Sequence, residues 1–301
     1  MKVAVVGAGS IGLYYGAHLA RAGVDVCFLM RSGYEAARER GIAVHSADGG
    51  DFTIHPVKCA ADPSEIGPSD LVVVALKATA NAALPDLLPP LVKESTLLLT
   101  LQNGLGNEEI LAARWGKHRV LGGLCFVCLT RRDPVTVDHF GHGTLSIGEY
   151  GGGSAGAAEM LAKIFRESGI EASAVENLLC ERWRKLVWNI PFNGLSVARG
   201  GIAVDRILAD PGLLEEALGL MREVIAVAAA EGCKIGGGFI DFQIERTRKM
   251  GAYKPSTLID WEAGRELEIE PIWGEPLRRA AAAGVAVPRL QALYGGLRAL
   301  G

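Results

Sequence analysis

The feature that most constrains the fold of this chain is a glycine loop near its start, 7-GAGSIG-12, which matches the pattern G-x-G-x-x-G. An apolar run, 2-KVAVV-6, precedes the loop and predicts a strand, and the segment 10–23 that follows has helical spacing and ends at a glycine. A second β-rich run at 24–29 completes a strand–helix–strand unit, the context that makes this motif specific. We therefore predict a Rossmann-type fold at the start of the chain.

The same loop predicts a dinucleotide-binding site. Gly7 would allow a tight turn, Gly9 would let the backbone approach a pyrophosphate, and Gly12 would allow the helix to pack closely on the strand. The phosphates would lie at the helix N-terminus, where N–H groups and the helix dipole favour anions. The alternative is a glycine-rich turn that binds no ligand. The residues predicted to contact the dinucleotide are Gly7, Ala8, Gly9, Ser10, Ile11 and Gly12.

The end of the second predicted strand indicates which dinucleotide binds. NAD-dependent proteins place an acidic residue there, on the ribose hydroxyls. This chain instead has 29-LMRSG-33, in which Arg31 and Ser32 offer a cation and a hydroxyl to a 2′-phosphate. Lys77, just after the predicted strand 71–76, would add a second charge at another strand's carboxyl end. These residues predict NADPH as the cofactor, and the alternative is that both cations are ordinary solvated surface residues.

The remaining pattern predicts an α/β chain of two domains. Continuous apolar runs such as 71-LVVVAL-76 indicate strands buried on both faces, as in a parallel sheet with helices on both sides. Beyond residue 175 nearly every segment has a helical period. We therefore predict an N-terminal Rossmann-type doubly wound sheet at residues 1–175, followed by an all-α C-terminal domain at residues 176–301.

Short segments with turn residues between them give the element assignments behind this division. Further strands are predicted at 42–45, 52–57, 71–76, 96–101, 119–122 and 170–175. Helices are predicted at 79–93, 107–115, 157–169, 177–190, 212–232 and 275–284. The glycine-rich stretch 150–156 has the composition of a linker.

Charge and hydropathy limit the partners of the chain. A net charge of −3 and an isoelectric point near 6.1 give no broad attraction for nucleic acid or anionic lipid, so small molecules are the expected partners. No apolar run of the sequence reaches membrane-spanning length, which predicts that the protein does not insert into a membrane. The glycines at 7, 9 and 12 argue against a secretory signal, so we expect a cytoplasmic protein.

The cysteines and histidines do not form a recognisable metal motif. The six cysteines lie mostly inside apolar segments, which favours reduced core thiols over disulfides. The pair in 125-CFVC-128 lies in a predicted strand, where positions i and i+3 point to opposite faces, and no second pair has zinc spacing. The histidines in 139-HFGHG-143 are predicted to lie on a surface turn. We therefore predict that the protein holds no metal.

A lysine and two asparagines share the otherwise apolar segment 182-RWRKLVWNIPFNGLS-196. If the segment is helical, Lys185, Asn189 and Asn193 fall on one face, because side chains four residues apart stack along a helix. A buried lysine without partners is costly, so this face would either pair with groups elsewhere or hold a polar ligand. The alternative is a lysine that extends its charge from a core helix to solvent, with asparagines that cap the helix before Pro191.

A further polar residue, Asn103, follows the predicted strand 96–101 in 100-TLQNGLGNEE-109. Ligands of open α/β sheets bind at the carboxyl ends of the strands, which makes Asn103 a candidate binding residue. Asn-Gly is also a frequent turn pair, so Asn103 would form the turn in either case.

Six motifs follow one another along the whole chain. They are GAGSIG at 7–12, Arg31, ALKA at 75–78, QNGLGNEE at 102–109, RWRKLVWNIPFN at 182–193 and PSTLIDWEAGRELEIEPIWG at 255–274. In this order they resemble the ketopantoate reductase (2-dehydropantoate 2-reductase) family of the 6-phosphogluconate dehydrogenase-like superfamily. The resemblance implies a Rossmann domain joined to a helical domain, with the active site in the cleft between them. It also implies NADPH-dependent reduction of the 2-keto group of ketopantoate to (R)-pantoate, a step toward pantothenate and coenzyme A.

The resemblance further implies roles for single residues. Lys185 matches the family's general acid, and Glu268 matches a glutamate that holds and orients the substrate. Arg31 and Lys77 match the pair that recognises the 2′-phosphate, and Asp260 matches an acidic position in the serine-containing helix. The residues expected at the substrate are Asn103, Asn189, Asn193, Ser256 and Asp260, with Asn103 also expected at the cofactor.

These residue types suit the implied chemistry. Hydride arrival at a carbonyl carbon leaves negative charge on the oxygen, so a positioned proton donor accelerates the step by roughly 10²–10⁴-fold. Helical spacing from Ser256 to Glu268 would place both toward the same cleft. The alternative for Glu268 is a solvated helix face on which it pairs with Arg265.

One position departs from the family pattern. After the glutamate motif the family commonly has Asn-Gly, whereas this chain has Trp273-Gly274, with Pro271 in the same segment. A bulky indole near the cleft would reshape the acid-binding pocket, so one alternative is a paralogous NADPH-dependent reductase of a different 2-keto acid. A second alternative is a non-catalytic NADPH sensor, which the presence of Lys185 and Glu268 disfavours. The helical domain is compatible with a homodimer.

Overall fold

The structure is a computed structural model that describes residues 1–152 and 156–300, and the chain divides into two compact units. The first unit comprises Met1–Gln102 and Asn107–Leu178, and the second comprises Asn103–Gly106 and Leu179–Gly301. The main division therefore follows residue 178, close to the expected position at 175, but the short segment 103–106 belongs with the later residues. The glycine-rich stretch 150–156 includes residues 153–155, which lie outside the described residues.

The first unit is built on one sheet, which has ten strands over the described residues. The strands are β1 (Lys2–Val6), β2 (Asp25–Leu29), β3 (Ile42–Ser46), β4 (Phe52–Ile54), β5 (Lys58–Ala60), β6 (Ser69–Val74), β7 (Val92–Thr100), β8 (Val120–Asp133), β9 (Thr136–Glu149) and β10 (Ala172–Val175). Their order is β4-β3-β9-β8-β7-β6-β1-β2-β5, with β10 beside β9. Pairs β3–β4 and β8–β9 are antiparallel and the others are parallel, so the sheet is mixed.

Helices cover both faces of this sheet. In the first unit they are α1 (Ser10–Arg21), α2 (Tyr34–Arg40), α3 (Pro63–Ile66), α4 (Leu84–Leu87), α5 (Asn107–Trp115) and α6 (Ala157–Glu167). Alternate residues of one strand enter different cores: Val3 and Val5 of β1 join one apolar cluster, whereas Ala4 and Val6 join another. Because successive side chains of a strand point to opposite faces, both faces of the central strands are buried. The predicted doubly wound α/β fold is confirmed.

The second unit is helical. Its helices are α7 (Leu178–Ala198), α8 (Val204–Ala209), α9 (Pro211–Ala230), α10 (Phe239–Arg248), α11 (Ser256–Glu262), α12 (Glu275–Ala282) and α13 (Pro288–Arg298), with a π-helical segment at Glu270–Gly274. They enclose their own core, in which Trp183, Phe192 and Trp273 are fully buried. The described residues of this unit contain no strand, and the predicted all-α domain is confirmed.

The predicted helix at 79–93 is wrong. The structure has a 3-10 helix at Ala78–Ala83, the short α4, a second 3-10 turn at Pro89–Leu91, and the start of β7 at Val92. Three prolines fall inside this stretch, and each lacks the N–H that an α-helix requires. The spacing of apolar residues fits a helix, but the prolines prevent one continuous helix from forming over this stretch.

The predicted surface turn at 139-HFGHG-143 is also wrong, because these residues lie inside strand β9. His139 is buried at 4% exposure and faces Leu129 of β8. Gly141, His142 and Gly143 have positive φ angles, and the pairing with β8 shifts register in this region. The glycines thus create irregularities within a long strand, as β-bulges do, rather than ending it.

The expectation that the cysteines are all reduced is wrong for one pair. Cys180, near the start of α7, forms a disulfide with Cys233, just beyond α9, with the two Cα atoms 5.0 Å apart. The pairing is invisible in the sequence because 53 positions separate the two residues, and only the packing of α7 beside the end of α9 brings them together. The remaining cysteines, including the pair in 125-CFVC-128, form no disulfide with any described residue.

Helix α7 is longer than predicted, because it continues through Pro191 to Ala198 instead of ending at residue 190. A proline inside a helix removes one backbone hydrogen bond and costs about 3 kcal/mol. Apolar side chains on both sides of Pro191 are fully buried, among them Ile190 and Phe192. Their burial offsets the cost, at roughly 1.5–3 kcal/mol for each large side chain.

Candidate active site

The glycine loop joins β1 to α1 and depends on close backbone contacts. Gly7 has φ +107, and a Cβ atom added there would lie 2.5 Å from the backbone nitrogen of Leu76. A Cβ atom at Gly12 would overlap the carbonyl oxygen of Gly7. Any side chain at either position therefore displaces the turn or lifts the helix from the sheet.

Gly9 differs from the two other motif glycines, because no heavy atom lies within 4 Å of a Cβ placed there. It is the N-cap of α1, whose first turn begins with Ser10 and Ile11 and contains no acidic residue. A helix N-terminus with open space above a glycine suits a pyrophosphate, which accepts from backbone N–H groups. The local geometry thus fits the group that the sequence predicts at this loop.

The residues predicted at the 2′-phosphate lie at the same edge of the sheet. Strand β1 pairs in parallel with both β2 and β6, with Val6 opposite Leu29 and Val74, so the carboxyl ends of the three strands are aligned. Arg31 and Ser32 follow β2 and are exposed, whereas Lys77 follows β6 and is half-buried. Two cations and a hydroxyl therefore border the edge at which the glycine loop lies.

A third cation reaches this loop from a strand that the sequence did not connect with it. Arg131 of β8 donates from Nη1 to the carbonyl oxygen of Ala8, at 3.0 Å. The two positions are 123 residues apart, so no local pattern could have indicated the contact. Only the hairpin formed by β8 and β9 brings Arg131 to the loop.

In the second unit the predicted general acid has a defined partner. Nζ of Lys185 donates to Oδ1 of Asn103 at 2.8 Å, and the lysine is half-buried. Asn103 begins the segment 103–106, which packs with the helices: the backbone N–H of Leu105 donates to the carbonyl oxygen of Pro271 at 2.9 Å. Gly104 has φ +84 and lies so close to Pro271 that a Cβ atom would overlap its carbonyl oxygen. The Asn-Gly turn thus holds the carboxamide against the lysine.

The two asparagines of α7 continue the same row of positions along the helix. Lys185, Asn189 and Asn193 lie at successive intervals of four within α7, as expected. Asn189 is 8% exposed and Asn193 is 2% exposed. Oδ1 of Asn193 is buried and has no hydrogen-bond partner among the described residues. The row combines one cation with uncharged groups that can orient polar atoms.

The residues predicted from the 255–274 motif are arranged differently from the expected continuous helix. Ser256 begins α11 and is exposed, and the helix ends at Glu262. Glu268 is half-buried and lies after α11 in a stretch without helical structure. Arg265 pairs with Asp260 at 2.7 Å, so the ion pair expected as an alternative for Glu268 is formed by a different carboxylate.

Trp273 does not act as a bulky lining group, contrary to the expectation. It is fully buried in the helical core, and its indole N–H donates to the carbonyl oxygen of Ile190 at 3.0 Å. A Cβ atom at Gly194 would lie 3.0 Å from the same indole nitrogen. The departure from the family pattern is therefore accommodated by a small residue on α7.

Two features are absent from the described residues. None of their helices combines the length and the apolar character that crossing a membrane requires. Nor do these residues contain a group of three or more His, Cys, Asp or Glu side chains placed to hold a metal ion.

Comparison with known proteins gives consistent matches along the chain. The family model described as ketopantoate reductase PanE/ApbA matches residues 3–152, and the model of its C-terminal part matches residues 177–301. A 2-dehydropantoate 2-reductase of Nostoc sp. is 41% identical over 99% of this chain and 95% of its own length. A second, from Mesorhizobium japonicum, is 30% identical over 90% of this chain and 89% of its own.

Solved structures agree with these sequence matches. The crystal structure of 2-dehydropantoate 2-reductase from Geobacter metallireducens is 46% identical, with a TM-score of 0.97 and full coverage of both chains. The enzyme of the same name from Methylococcus capsulatus is 35% identical, with a TM-score of 0.93 over 100% of this chain and 96% of that one. Together these matches show that the chain belongs to the ketopantoate reductase PanE/ApbA family of pyridine-nucleotide-dependent oxidoreductases.

Proposed function

We propose that the protein catalyses the NADPH-dependent reduction of 2-dehydropantoate to (R)-pantoate, a step toward pantothenate and coenzyme A. The names of its relatives support the reaction class, since those from Nostoc and Geobacter are 2-dehydropantoate 2-reductases. The observation that carries the proposal is the 2.8 Å contact between Lys185 and Asn103, with Asn189 and Asn193 further along α7. A ligand-binding role explains why these polar groups lie beside the apolar core of the helical unit.

Lys185 is the proposed general acid. Bound NADPH supplies the hydride that adds to the carbonyl carbon of the substrate. The ammonium of Lys185 has three donors, of which one is directed at Asn103 Oδ1. In the proposed mechanism the ammonium also donates to the substrate's keto oxygen, where it stabilises the developing negative charge and delivers a proton. The carboxamide of Asn103 fixes the direction of the ammonium without adding a competing charge.

The remaining residues are proposed to bind the substrate. Asn189 and Asn193 orient its oxygens, and the exposed hydroxyl of Ser256 donates to its carboxylate. Glu268 orients the substrate by accepting from its hydroxyl group, which a carboxylate does in its ionised form. Asp260 acts more indirectly, because its ion pair with Arg265 anchors the end of the serine-containing helix.

The first domain, residues 1–175, is proposed to bind NADPH, and residues 176–301 to provide the catalytic groups. The loop of Gly7, Ala8, Gly9, Ser10, Ile11 and Gly12 would hold the pyrophosphate, and Asn103 would add a contact to the cofactor. Arg31, Ser32 and Lys77 would hold the 2′-phosphate, since Arg and Lys bind phosphate oxygens through charge-assisted hydrogen bonds. Replacing Arg31 with Asp should then weaken NADPH far more than NADH, and an equal effect on both cofactors would contradict the assignment.

A panel of 2-keto acids assayed by NADPH absorbance tests the proposed reaction. We expect the highest kcat/KM with 2-dehydropantoate, compared with other branched 2-keto acids. Faster turnover of another acid would identify a paralogous reductase, and tight NADPH binding without turnover of any acid would identify a sensor.

The variant Lys185→Ala tests the proposed general acid. It should lower kcat by at least about 100-fold, because general acid catalysis contributes roughly 10²–10⁴-fold, while NADPH affinity stays near the wild-type value. Arg184→Ala is the matched control, since this neighbour on α7 pairs with Glu181 at the surface. Full turnover by Lys185→Ala would remove the lysine from the mechanism.

We further propose a cytoplasmic enzyme that forms a homodimer through its helical domain. We propose the cytoplasm because it is where we expect both the small keto acid substrate and NADPH to be supplied. Sedimentation equilibrium of the purified protein tests the dimer, and a monomer at micromolar concentration would contradict it.

A further inference from the structure

The hairpin of β8 and β9 meets the loop that follows β2. The two strands pair antiparallel and are joined by the turn Pro134-Val135, with Asp133 opposite Thr136. A Cβ atom at Gly33 would overlap the side chain of Pro134, so the tip of the hairpin rests directly on the segment that carries Arg31 and Ser32. The hairpin is therefore part of the edge of the sheet where we propose that the cofactor binds, although its strands are distant in sequence from the glycine loop and from Arg31.

Arg131 is the side chain that extends from this hairpin to the glycine loop. It is exposed, and its Nη1 donates to the carbonyl oxygen of Ala8, between Gly7 and the open position at Gly9. A guanidinium has five N–H donors, so the single bond to Ala8 leaves a planar fork available for an anion. The loop 7–12 itself contains no cationic side chain.

The adjacent arginine has a different environment. Arg132 forms an ion pair with Asp138 of β9 at 2.7 Å, with a hydrogen bond from Nε at 3.0 Å. Arg131 forms no ion pair within the described part of the chain, and the only hydrogen bond of its side chain there is to Ala8. Two neighbouring arginines thus differ in one respect: the charge of Arg132 is already paired, whereas that of Arg131 is directed at the loop.

We propose that Arg131 is a further cofactor-binding residue that contacts the pyrophosphate, an inference that rests on the proposed nucleotide-dependent function. Its anchor is the glycine loop, where pyrophosphate binds, whereas Arg31 and Lys77 follow other strands and bind the 2′-phosphate. Because NADH and NADPH share the pyrophosphate, Arg131 contributes to the affinity for both. Arg131 thus sets overall affinity, and Arg31 sets the preference between the two cofactors.

Direct binding measurements test this assignment without any keto acid. Arg131→Gln should raise the Kd of NADPH and of NADH by a similar factor, roughly 10- to 100-fold for a lost hydrogen bond between charged groups. Arg31→Gln should raise the Kd of NADPH alone. The plot of log Kd against the logarithm of the salt concentration should also have a smaller slope for Arg131→Gln. The variant has one charged contact to phosphate fewer that salt could screen. Fluorescence titration of bound nucleotide supplies all three readouts.

Controls separate phosphate binding from support of the loop. Arg132→Gln should leave both Kd values unchanged, and Arg131→Lys should give an intermediate affinity because the charge remains but the fork is lost. The melting temperature of nucleotide-free Arg131→Gln should equal that of the wild type. A fall in that temperature with an unchanged salt dependence would mean that Arg131 only supports Ala8, which overturns the proposal.

Two further outcomes would overturn the assignment. Unchanged Kd values for both cofactors would exclude a contact with the cofactor, and a loss confined to NADPH would place Arg131 at the 2′-phosphate instead. Failure of the proposed reaction would be seen separately, as absence of keto acid turnover by a wild-type protein that still binds nucleotide.

Discussion

The glycine loop of the first unit and the polar row of α7 in the second are built on opposite principles. At the loop, the backbone forms the site and side chains are excluded, as the overlap between a Cβ at Gly12 and the Gly7 carbonyl demonstrates. On α7, the backbone is ordinary helix and the side chains of Lys185, Asn189 and Asn193 are the candidate site. A site made of backbone should be destroyed by any added atom, whereas a site made of side chains should lose function group by group.

The largest expected effect is that of Gly12→Ala, compared with Gly9→Ala. The added methyl at Gly12 overlaps the Gly7 carbonyl, so we expect the free energy of unfolding to fall by about 3 kcal/mol or more. Nucleotide binding should be lost as well. At Gly9 the space is open, so the alanine variant should lose at most about 1 kcal/mol of stability, the cost of alanine at a helix N-cap, while its nucleotide affinity falls. Denaturant unfolding and nucleotide titration of both variants measure this difference. Equal free energies of unfolding for the two variants would contradict it.

The next effect concerns the partner of the proposed general acid. Asn103→Ala removes the acceptor of the Lys185 ammonium, and the loss of a hydrogen bond to a charged group should lower kcat by roughly 10- to 100-fold. Because the asparagine acts through the lysine, the double variant with Lys185→Ala should be no slower than Lys185→Ala alone. Steady-state kinetics of the four proteins measures this coupling, and strictly multiplicative losses would show that the two residues act independently.

A smaller effect is expected for Trp273→Phe. The substitution keeps an aromatic ring in the core but leaves the Ile190 carbonyl without its indole donor, which should cost about 1 kcal/mol of stability. Because the indole is buried behind α7, the preference among 2-keto acids should stay the same. A changed preference in the keto acid panel would restore Trp273 as a determinant of specificity.

The smallest effect is a pH dependence in the first unit. Burial lowers the pKa of His18, although its hydrogen bond to the Ser168 carbonyl works in the opposite direction. The unfolded chain then takes up the proton first, so stability is complete above about pH 6.5 and falls as the pH drops from there toward the lowered pKa. Unfolding free energies between about pH 7.5 and 5 should show this decline.

A matched pair of variants assigns the decline to one histidine. His18→Gln should flatten the pH dependence, while the same change at the exposed His118 should leave it unaltered. An identical slope in all three proteins would show that other groups control the acid sensitivity.

Local patterns were sufficient for much of the fold. The strand–loop–helix unit at the start and the helix at 107–115 were predicted because apolar spacing, glycines and caps lie within a few residues of one another. The family was also evident from its motifs, and the comparisons confirm the family. The stacking of Lys185, Asn189 and Asn193 on one helix was predicted for the same reason, since helical geometry fixes it.

The features that were missed depend on contacts between distant segments. Arg131 reaches Ala8 only because β8 and β9 form a long hairpin, and Cys180 meets Cys233 only when α7 lies against the end of α9. Neither pairing leaves a periodic signal in the sequence. At Pro191 a local signal was present but misleading. Proline normally ends a helix, yet α7 continues through it because the burial of its neighbours outweighs the cost of the lost hydrogen bond.

The short turn at 103–106 has a consequence for modular exchange between relatives. Since these four residues belong with the helices while 102 and 107 belong with the sheet, the polypeptide passes between the units three times. A chimera that swaps only the region after residue 178 would pair a foreign Pro271 segment with the original Asn-Gly turn. Recombination within this family should therefore transfer the turn together with the helices, so that the lysine keeps the carboxamide with which it evolved.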